Sequence, residues 1–305
     1  MARILITGAA GFIGGHLYKK LKDEGNDVVG IDNLSHASKN PINKETLVYD
    51  VRKKNWYTWV SWSDVVYHLA AQIHVDKSIS NPQETVDINI NGTLNILEAC
   101  RKYGKKLVFA SSSEVYGSSQ TDLMDESHPL DAQSPYAASK VAGDRLCKAY
   151  IDTYGMDIAI IRNFNTFGPY QNDGEEGKSY GAVIGIFTKA ALENRPLTVF
   201  GDGEQRRDYI YITDALRGYD LAQRYTGVLN IGSGKTVSIN ELAEKIIKLT
   251  NSKSSVIHTE PRPGEVMRLC ADTSRAEKLG FSPITDFDIH LAEYVRWYRE
   301  NGSFL

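Results

Sequence analysis

Short apolar runs alternate with longer amphipathic segments along the first half of the chain. The apolar runs predict strands, and they cover residues 4–7, 28–32, 46–50, 65–70, 107–110 and 158–162. Helical patterns lie between them at residues 12–24, 84–103 and 134–154. Strands that alternate with helices form a parallel sheet that is covered by helices on both faces. We therefore expect a doubly wound α/β domain over residues 1–165.

The pattern changes near Asn165. A stretch rich in glycine and acidic residues, "GPYQNDGEEGKSYG" at residues 168–181, predicts a flexible loop. Shorter strand and helix signals follow it, and 305 residues are more than one compact core usually needs. We expect a smaller C-terminal α/β lobe over residues 166–305, from which some segments return to the first domain.

Composition and charge exclude several classes of protein. Hydrophobic residues make up 42% and charged residues 24% of the chain, as in ordinary globular proteins. The net charge of −3 argues against nucleic acid or an anionic membrane as the main partner. The three cysteines, Cys100, Cys147 and Cys270, form no CxxC pair, and no apolar segment resembles a signal peptide or a membrane span. We expect a reduced, cytoplasmic protein.

A glycine motif follows the first predicted strand and opens the first predicted helix. "ILITGAAGFIGGHL" places Gly8, Gly11 and Gly14 at GxxGxxG spacing. Glycines at such a turn let a dinucleotide diphosphate approach the backbone, and the helix N-terminus stabilises its charge. Asp32 ends the second strand about 20 residues later, where a carboxylate accepts hydrogen bonds from the ribose hydroxyls of NAD and repels the extra phosphate of NADP. The sequence therefore predicts an NAD site.

Two further segments predict acid–base chemistry. "SPYAASKVAGD" separates Tyr136 and Lys140 by four positions, so both side chains lie on one face of a helix. A lysine ammonium beside a tyrosine stabilises the tyrosinate and lowers a pKa that is normally about 10. "KLVFASSSEVYGSS" adds Ser112 at the end of an apolar strand. Together these residues suit the removal of a proton from a sugar hydroxyl near neutral pH.

These motifs resemble those of the extended short-chain dehydrogenase/reductases that act on nucleotide sugars. In family order, the chain carries the glycine motif, "DNLS", "HLAAQ", "SSSEVYG", "YAASK", "RNFNTFGP" and "GDGEQRRDYIYITD". The resemblance covers essentially the whole chain and implies a Rossmann domain for NAD with a C-terminal lobe that binds the nucleotide sugar. In this family, the tyrosine or its serine or threonine neighbour removes a hydroxyl proton while C4 of the sugar gives hydride to NAD, and a 4-keto sugar results.

The resemblance also assigns roles to individual residues. The catalytic positions of the family fall on Ser112, Tyr136 and Lys140. The last two also belong to the expected NAD contacts, together with the motif glycines and Asp32. Further positions expected to contact the cofactor are Phe12, Ile13, Asn33, Asp50, Val51, Leu69, Ala70, Ala71 and Asn89.

Four positions are expected to bind the nucleotide sugar. Asn165 matches an asparagine that binds near the substrate diphosphate, and Ser113 lies beside the catalytic serine. Arg207 in "RRDYIY" and Arg262 in "PRPGEV" match two arginines that grip the diphosphate. This role suits a guanidinium because it forms paired hydrogen bonds with phosphate oxygens.

Residues 113 and 114 bear on the type of reaction. The 4,6-dehydratases resemble one another in carrying Asp-Glu here, an acid for the departing water and a base at C5. This chain has Ser113-Glu114, which is similar to UDP-glucuronate decarboxylases, to some dehydratases and to many prokaryotic sequences of epimerase type. "PRPGEVMRLCADTSRAEKLGF" resembles epimerases more than decarboxylases. The resemblance therefore favours a UDP-hexose 4-epimerase in which Glu114 orders a loop or a water, and it leaves open a decarboxylase or dehydratase in which Glu114 is a base.

The remaining expectations concern assembly, metals and loss of catalysis. The helices predicted at residues 84–103 and 134–154 correspond to a dimer interface in relatives, so the resemblance implies a homodimer. The apolar and small side chains noted on them are Leu94, Leu97, Ala138 and Ala142. The histidines have no metal-ligand spacing, and we expect no metal. A non-catalytic NAD-binding sensor or scaffold is a more distant alternative, because such proteins usually lack the tyrosine or lysine that this chain keeps.

Overall fold

The computed structural model of the protein describes residues 1–35, 42–171, 182–262, 264–284 and 286–302. Its strands are β1 (Arg3–Thr7), β2 (Asp27–Asp32), β3 (Leu47–Val48), β4 (Val65–His68), β5 (Lys106–Ala110), β6 (Ile158–Asn163), β7 (Asn165–Phe167), β8 (Leu197–Phe200), β9 (Arg206–Tyr211), β10 (Gly227–Ile231), β11 (Thr236–Ser238), β12 (Val256–Thr259) and β13 (Arg268–Leu269). Its α-helices are α1 (Phe12–Asp23), α2 (Tyr57–Trp62), α3 (Val75–Ser80), α4 (Pro82–Val86), α5 (Gly92–Tyr103), α6 (Pro135–Tyr154), α7 (Val183–Leu192), α8 (Ile212–Ala222), α9 (Ile239–Thr250), α10 (Ser274–Glu277) and α11 (Phe287–Asn301).

A parallel sheet forms the centre of the molecule. Within the described ranges it has seven strands in the order β10-β6-β5-β4-β1-β2-β3. Strand residues such as Leu5, Val66 and Ile160 are fully buried, as expected where helices cover both faces. The predicted doubly wound Rossmann-type sheet is thus confirmed. Its strand order reverses between β1 and β4, and ligands of such sheets bind at this reversal, outside the carboxyl ends of the strands.

The chain after residue 165 contributes to more than one sheet. β7, β9, β11 and β13 form a small second sheet, and β8 pairs with β12. β10, however, adds to the edge of the main sheet, where Gly227 to Ile231 pair with Ala159 to Asn163. The return of a C-terminal segment to the main sheet means that a division of the sequence at residue 165 does not coincide with a clean boundary in space.

Two predicted strands are shorter in the structure. β3 comprises only Leu47 and Val48, because it lies at the solvent-exposed edge of the sheet and pairs with β2 on one side only. β4 ends at His68 instead of residue 70, because Ala70 leaves the sheet to pass beside Gly8. A Cβ atom on Gly8 would lie 2.7 Å from the Ala70 backbone nitrogen.

The helix predicted at residues 84–103 is divided into three parts. α4 and α5 flank a π-helical turn, Asp87–Asn91, that turns Asn89 into the interior. The Asn89 side chain exchanges two hydrogen bonds of 2.8 Å with the backbone of Gln72 and donates a third to the Ser139 hydroxyl. The π turn therefore ties the loop after β4 to α6.

α6 begins and ends where the sequence predicts. The Ser134 hydroxyl accepts a hydrogen bond of 3.1 Å from the Ala137 backbone N–H, and Pro135 occupies the first helical position. Gly155 ends the helix in a left-handed conformation with φ of 63°. This helix holds Tyr136 and Lys140 one turn apart.

A buried ion pair fixes the segment after β5 against α6. Arg162 on β6 donates to both carboxylate oxygens of Asp144 on α6, at 2.9 and 3.0 Å. The Ser111 hydroxyl also donates to Asp144, and Arg162 donates to the Tyr116 hydroxyl at 2.9 Å. Residues 111–116 are thereby held at both ends, and the loop that carries Ser112 and Glu114 has a defined position.

Two other sequence expectations concern the loop and the membrane. Residues 172–181 of the loop predicted at 168–181 lie outside the described part of the chain. None of the helices that the structure describes combines the length and the apolar character that a bilayer crossing requires.

Candidate active site

A cavity of about 580 Å³ lies along the carboxyl ends of β1, β2, β4, β5 and β6. It occupies the place that the strand reversal predicts. Most of the sequence-predicted site residues line it, namely Gly8, Gly11, Phe12, Ile13, Gly14, Asp32, Asn33, Val51, Leu69, Ala70, Ala71, Ser112, Ser113, Glu114, Tyr136, Lys140, Asn165 and Arg262. Residues from both halves of the chain therefore meet in one cavity.

The glycine motif forms a tight cradle at the start of α1. Gly8 has a φ of 75°, and a Cβ on Gly14 would lie 2.1 Å from the Gly8 carbonyl oxygen. Gly11 immediately precedes α1, so the unpaired N–H groups of that helix face the cradle. Glycine at positions 8 and 14 lets the start of α1 pack closely on the end of β1, and the exposed helix N-terminus then suits a dinucleotide diphosphate.

Asp32 lies at the end of β2, next to the cradle. Its carboxylate accepts hydrogen bonds from the backbone N–H groups of Ala10 at 3.2 Å and Leu34 at 2.8 Å. These bonds fix the carboxylate at the rim of the cavity. A ribose diol is the ligand that such a fixed acceptor suits.

Three predicted contacts do not line the cavity. Asp50 instead pairs with Arg52, which holds the pKa of its carboxyl below the usual range. The side-chain amide of Asn89 forms the hydrogen bonds to Gln72 and Ser139 that are described above. Arg207 donates to the Glu265 carboxylate at 2.8 Å and is largely buried.

Tyr136 and Lys140 are both buried and line the cavity together with Ser112. Burial raises the pKa of Tyr136 to about 12; the Ser112 hydroxyl opposes the rise and the Glu114 charge adds to it. Burial lowers the pKa of Lys140 to about 8. The Lys140 ammonium donates to the Ala110 carbonyl at 2.9 Å and lies 5.5 Å from the centre of the Phe109 ring. The site thus holds an acid–base tyrosine and a cation in a desolvated setting.

Glu114 contributes a carboxyl group to the same end of the cavity. Its backbone N–H donates to the Ser112 hydroxyl at 3.2 Å, which begins the short 3₁₀ turn Ser113–Tyr116. Burial raises the pKa of its carboxyl, while the charge of Arg207 lowers it and the charge of Glu265 raises it. No described residue donates a hydrogen bond to that carboxyl, so it is available to a ligand.

Polar groups at the end of β6, directly after it and from the C-terminal part of the chain complete the cavity. Asn163 and Asn165 each leave a buried side-chain oxygen without a hydrogen-bond partner among the described residues. Arg262 lies at the rim with its guanidinium 4.0 Å from the centre of the Phe200 ring. These groups suit the polar portions of a bound nucleotide or sugar.

The sequence interpretation missed several lining residues. They include Ile31, Tyr49, Ile73, His74, Asp76, Asn163, Thr166, Tyr170, Gln171 and Tyr219. The alternation of Asn163 and Asn165 around Phe164 at the end of the apolar β6 could have revealed Asn163, since polar side chains at a strand end are uncommon in a buried sheet. Tyr219 offers no such signal, because a tyrosine on an amphipathic helix is typical of a core. In the described part of the chain, no cluster of three or more His, Cys, Asp or Glu is placed to hold a metal ion.

Comparison with known families agrees with this geometry. Residues 4–232 match the model of the NAD dependent epimerase/dehydratase family. The matched region contains the glycine cradle, Asp32, Ser112, Tyr136 and Lys140. The chain belongs to this family. The expected extended short-chain dehydrogenase/reductase relationship and the expected NAD cofactor are thereby confirmed.

Curated relatives within this family carry out more than one reaction. A putative UDP-glucose 4-epimerase of Methanocaldococcus jannaschii is 40% identical, over 98% of this chain and 99% of that protein. A UDP-N-acetyl-alpha-D-glucosaminuronate decarboxylase of Bacillus cytotoxicus is 34% identical over 98% of both chains. A dTDP-glucose 4,6-dehydratase of Streptomyces niveus is 33% identical, over 99% of this chain and 94% of that protein.

Solved structures of epimerases superpose over nearly the whole chain. The UDP-N-acetylglucosamine 4-epimerase of Methanobrevibacter ruminantium in complex with UDP-N-acetylmuramic acid has a TM-score of 0.91 at 34% identity, covering 98% of this chain and 99% of that one. The UDP-glucose 4-epimerase of Thermus thermophilus in complex with NAD has a TM-score of 0.89 at 31% identity, covering 97% and 99%. The protein therefore belongs to a family of enzymes and shares its fold with solved epimerases. The comparisons support a nucleotide sugar as its ligand.

Proposed function

We propose that this protein is an NAD-dependent nucleotide-sugar 4-epimerase whose substrate is a UDP-hexose. The observation that carries the proposal is the convergence of Ser112, Tyr136 and Lys140 on the cavity that contains the glycine cradle. The 40% identity with a putative UDP-glucose 4-epimerase supports the same reaction. Epimerisation at C4 needs one acid–base group at the sugar hydroxyl, and Tyr136 meets this need.

The chain's own residues have separable tasks in this reaction. Bound NAD would supply a reversible hydride acceptor for C4 of the sugar. Tyr136 takes the proton of the 4-hydroxyl and later returns it, and Ser112 hydrogen-bonds the same oxygen. Lys140 places a cation beside the tyrosine and so favours its ionised form. Asn165 and Arg262 would bind the nucleotide diphosphate; Arg207 could join them after leaving Glu265.

A serine at position 113 supports epimerisation over dehydration. Ser113 is buried and lines the cavity directly after Ser112. A hydroxyl group with its ordinary pKa is a poor acid for a departing hydroxide, so elimination of water from the sugar would lack its proton donor. Turnover of a 4-keto ring within the cavity requires no such donor.

One observation favours a second candidate, a decarboxylase or dehydratase. The Glu114 carboxyl lines the cavity, has a raised pKa and receives no hydrogen bond from a described residue. Such a group could remove the C5 proton of a 4-keto sugar before water leaves, or return a proton to C5 after carbon dioxide has left. In an epimerase, the same carboxyl would order a water or bind a sugar hydroxyl.

Product identification tests the proposal. The purified, NAD-loaded protein would be incubated separately with UDP-glucose, UDP-N-acetylglucosamine, UDP-glucuronate and dTDP-glucose. We expect the C4 epimer of one UDP-hexose, with mass unchanged. If a substrate lost carbon dioxide or water, the second candidate would replace the epimerase. If none of the four sugars changed, the result would favour a protein that binds NAD without catalysis.

We also propose that the protein works as a cytoplasmic homodimer. Leu94 on α5 and Ala138 on α6 are exposed and Ala142 is partly exposed, whereas Leu97 is fully buried in the core and cannot contribute to an interface. The three cysteines are free and buried, which suits a reducing compartment. Light scattering of the purified protein tests the dimer.

A further inference from the structure

Asn163 presents an unused hydrogen-bond acceptor at the catalytic end of the cavity. It is the last residue of β6 and lines the cavity. Its Nδ2 donates a hydrogen bond of 2.7 Å to the Tyr219 hydroxyl, but its buried Oδ1 has no partner among the described residues. A buried carbonyl oxygen without a partner costs free energy, so a ligand group that donates to it would be bound selectively.

Two neighbouring elements hold this amide in position. The backbone of Asn163 is registered against Ile231 in the β6–β10 ladder. Tyr219 on α8 is fully buried, and its ring lies 6.2 Å from that of Tyr67. Because one end of the amide is fixed by the Tyr219 hydroxyl, Oδ1 is the end left for a ligand. The acceptor is therefore preorganised and loses little freedom on binding.

The sheet order identifies which part of NAD lies nearest to this acceptor. Asp32 on β2 marks the ribose of the adenosine half, and the cradle at the end of β1 marks the diphosphate. β5 and β6 lie on the opposite side of β1, beyond β4. A dinucleotide that spans the strand ends would therefore have its nicotinamide ring near the ends of β5 and β6, where Lys140 on α6 donates to the Ala110 carbonyl. The ring carries a primary carboxamide, whose NH₂ group is a hydrogen-bond donor.

We propose that Asn163 Oδ1 accepts a hydrogen bond from the carboxamide NH₂ of the nicotinamide and that Tyr219 positions Asn163 for this contact. The contact would fix the rotation of the ring and hence the face that it offers to the sugar. The proposal depends on the NAD cofactor of the family and not on which sugar reaction follows. Asn163 and Tyr219 are thus positioning residues.

Cofactor analogues test the contact by binding alone. The dissociation constants of NAD, of 3-acetylpyridine adenine dinucleotide and of thionicotinamide adenine dinucleotide would be measured by calorimetry on the nucleotide-free, full-length protein. The acetylpyridine analogue replaces the NH₂ group by methyl, whereas the thio analogue keeps it. We expect the wild-type protein to bind the acetylpyridine analogue about tenfold more weakly than NAD, because a buried acceptor then loses its donor. The thio analogue should stay within about threefold of NAD.

Substitutions identify the acceptor. In Asn163→Leu, we expect NAD to bind about as weakly as the acetylpyridine analogue, so that the tenfold ratio falls to about one. Tyr219→Phe should lower the ratio of the two dissociation constants partly, because the Asn163 amide is no longer anchored. This variant provides the same test if Asn163→Leu does not fold. Tyr67→Phe is the matched control, since it removes a neighbouring buried hydroxyl that does not line the cavity. The ratio should stay at tenfold in that variant.

Two results would overturn the inference. One is a wild-type protein that binds NAD and the acetylpyridine analogue equally well. The other is a tenfold ratio that persists in both Asn163→Leu and Tyr219→Phe. Either result would remove Asn163 from the carboxamide and leave the proposed sugar chemistry untouched, because no sugar is present in the measurement.

Discussion

Tyr136 and Lys140 are both buried, one turn apart on α6, and burial disfavours the charged form of each. The pKa of Tyr136 rises to about 12 and that of Lys140 falls to about 8. A positively charged group beside Tyr136 would lower its pKa again. The positive nicotinamide ring of bound NAD would therefore add to Lys140 in making the tyrosine an effective base.

The first prediction concerns Tyr136. Tyr136→Phe removes the acid–base hydroxyl but keeps the ring, so we expect turnover of the sugar to fall by about two to four orders of magnitude. NAD binding and the melting temperature should change little. Tyr67→Phe, outside the cavity, serves as the control. Turnover in Tyr136→Phe that equals the wild-type value would remove Tyr136 from the mechanism.

The second prediction links Lys140 to stability. Its pKa is about 8 in the folded protein against 10.5 as a free side chain, so between these values the unfolded chain holds a proton that the folded chain has lost. Wild-type stability gains from this group as the pH rises from 8 to 10.5. Below pH 8 the buried ammonium opposes folding in full. We therefore expect Lys140→Met to melt a few degrees (about 2–5 °C) above the wild type at pH 7, with a difference that shrinks toward pH 10.

Calorimetric melting temperatures between pH 7 and pH 10.5 check this prediction. Lys148→Met is the control, because Lys148 lies on the same helix with an exposed ion pair to Asp152. A Lys140→Met protein that melts below the wild type at pH 7 would mean that the hydrogen bond to Ala110 outweighs the burial of charge. Turnover of Lys140→Met should fall sharply in either case, since the tyrosinate loses its cation.

Motifs predict the identity of site residues better than their contacts. Asp32 follows from its place at a strand end after the glycine motif, whereas the catalytic roles of Ser112 and Tyr136 also needed the family resemblance. Arg207 illustrates the limit, because the sequence cannot show that its guanidinium pairs with Glu265 instead of lining the cavity. Tyr219 could not be predicted, because its role depends on which side of α8 packs on the end of β6.

At the scale of elements, the Arg162–Asp144 pair holds β6, α6 and the segment after β5 together. The exposed fraction of the side chain is only 2% for Arg162 and 1% for Asp144. The third prediction is that Asp144→Asn lowers the free energy of unfolding by about 3 kcal/mol, because Arg162 then keeps a buried charge without its partner. Urea denaturation gives the value.

Two further variants define this effect. Replacing both partners, Asp144→Leu with Arg162→Met, should restore most of the lost stability because no buried charge remains. Asp23→Asn is the matched single change at an exposed pair with Lys19 on α1, and we expect no measurable effect there. If Asp144→Asn lowered the free energy of unfolding as little as Asp23→Asn does, the result would contradict the assigned role of the buried pair.

The hydrophobic pattern predicted which segments are strands and which are helices. It did not predict where each one begins and ends or which strands pair. α6 was predictable because Ser134, Pro135 and Gly155 are strong start and stop signals. The π turn at Asp87–Asn91 was not, since one extra residue in a turn leaves the surrounding helical periodicity intact. The addition of β10 to the main sheet depends on long-range pairing, which a run of five residues cannot specify by itself.

At the scale of the whole molecule, the fourth prediction tests the proposed homodimer. Leu94 on α5 is 38% exposed and Leu249 on α9 is 37% exposed, so the two leucines are closely matched. We expect light scattering to give a dimer mass for the wild type and for Leu249→Glu, and a shift toward the monomer for Leu94→Glu. A monomer mass for the wild type at micromolar concentrations would reject the dimer.

The most direct test of the central proposal, 4-epimerisation without chemistry at C5, is proton NMR of the NAD-loaded protein with a UDP-hexose in deuterated water. We predict a new anomeric signal from the C4 epimer, no deuterium at C5, and at most about a tenfold slower reaction in Glu114→Gln. Deuterium at C5, together with loss of activity in Glu114→Gln, would contradict the proposal and make Glu114 a base at C5, as in a dehydratase.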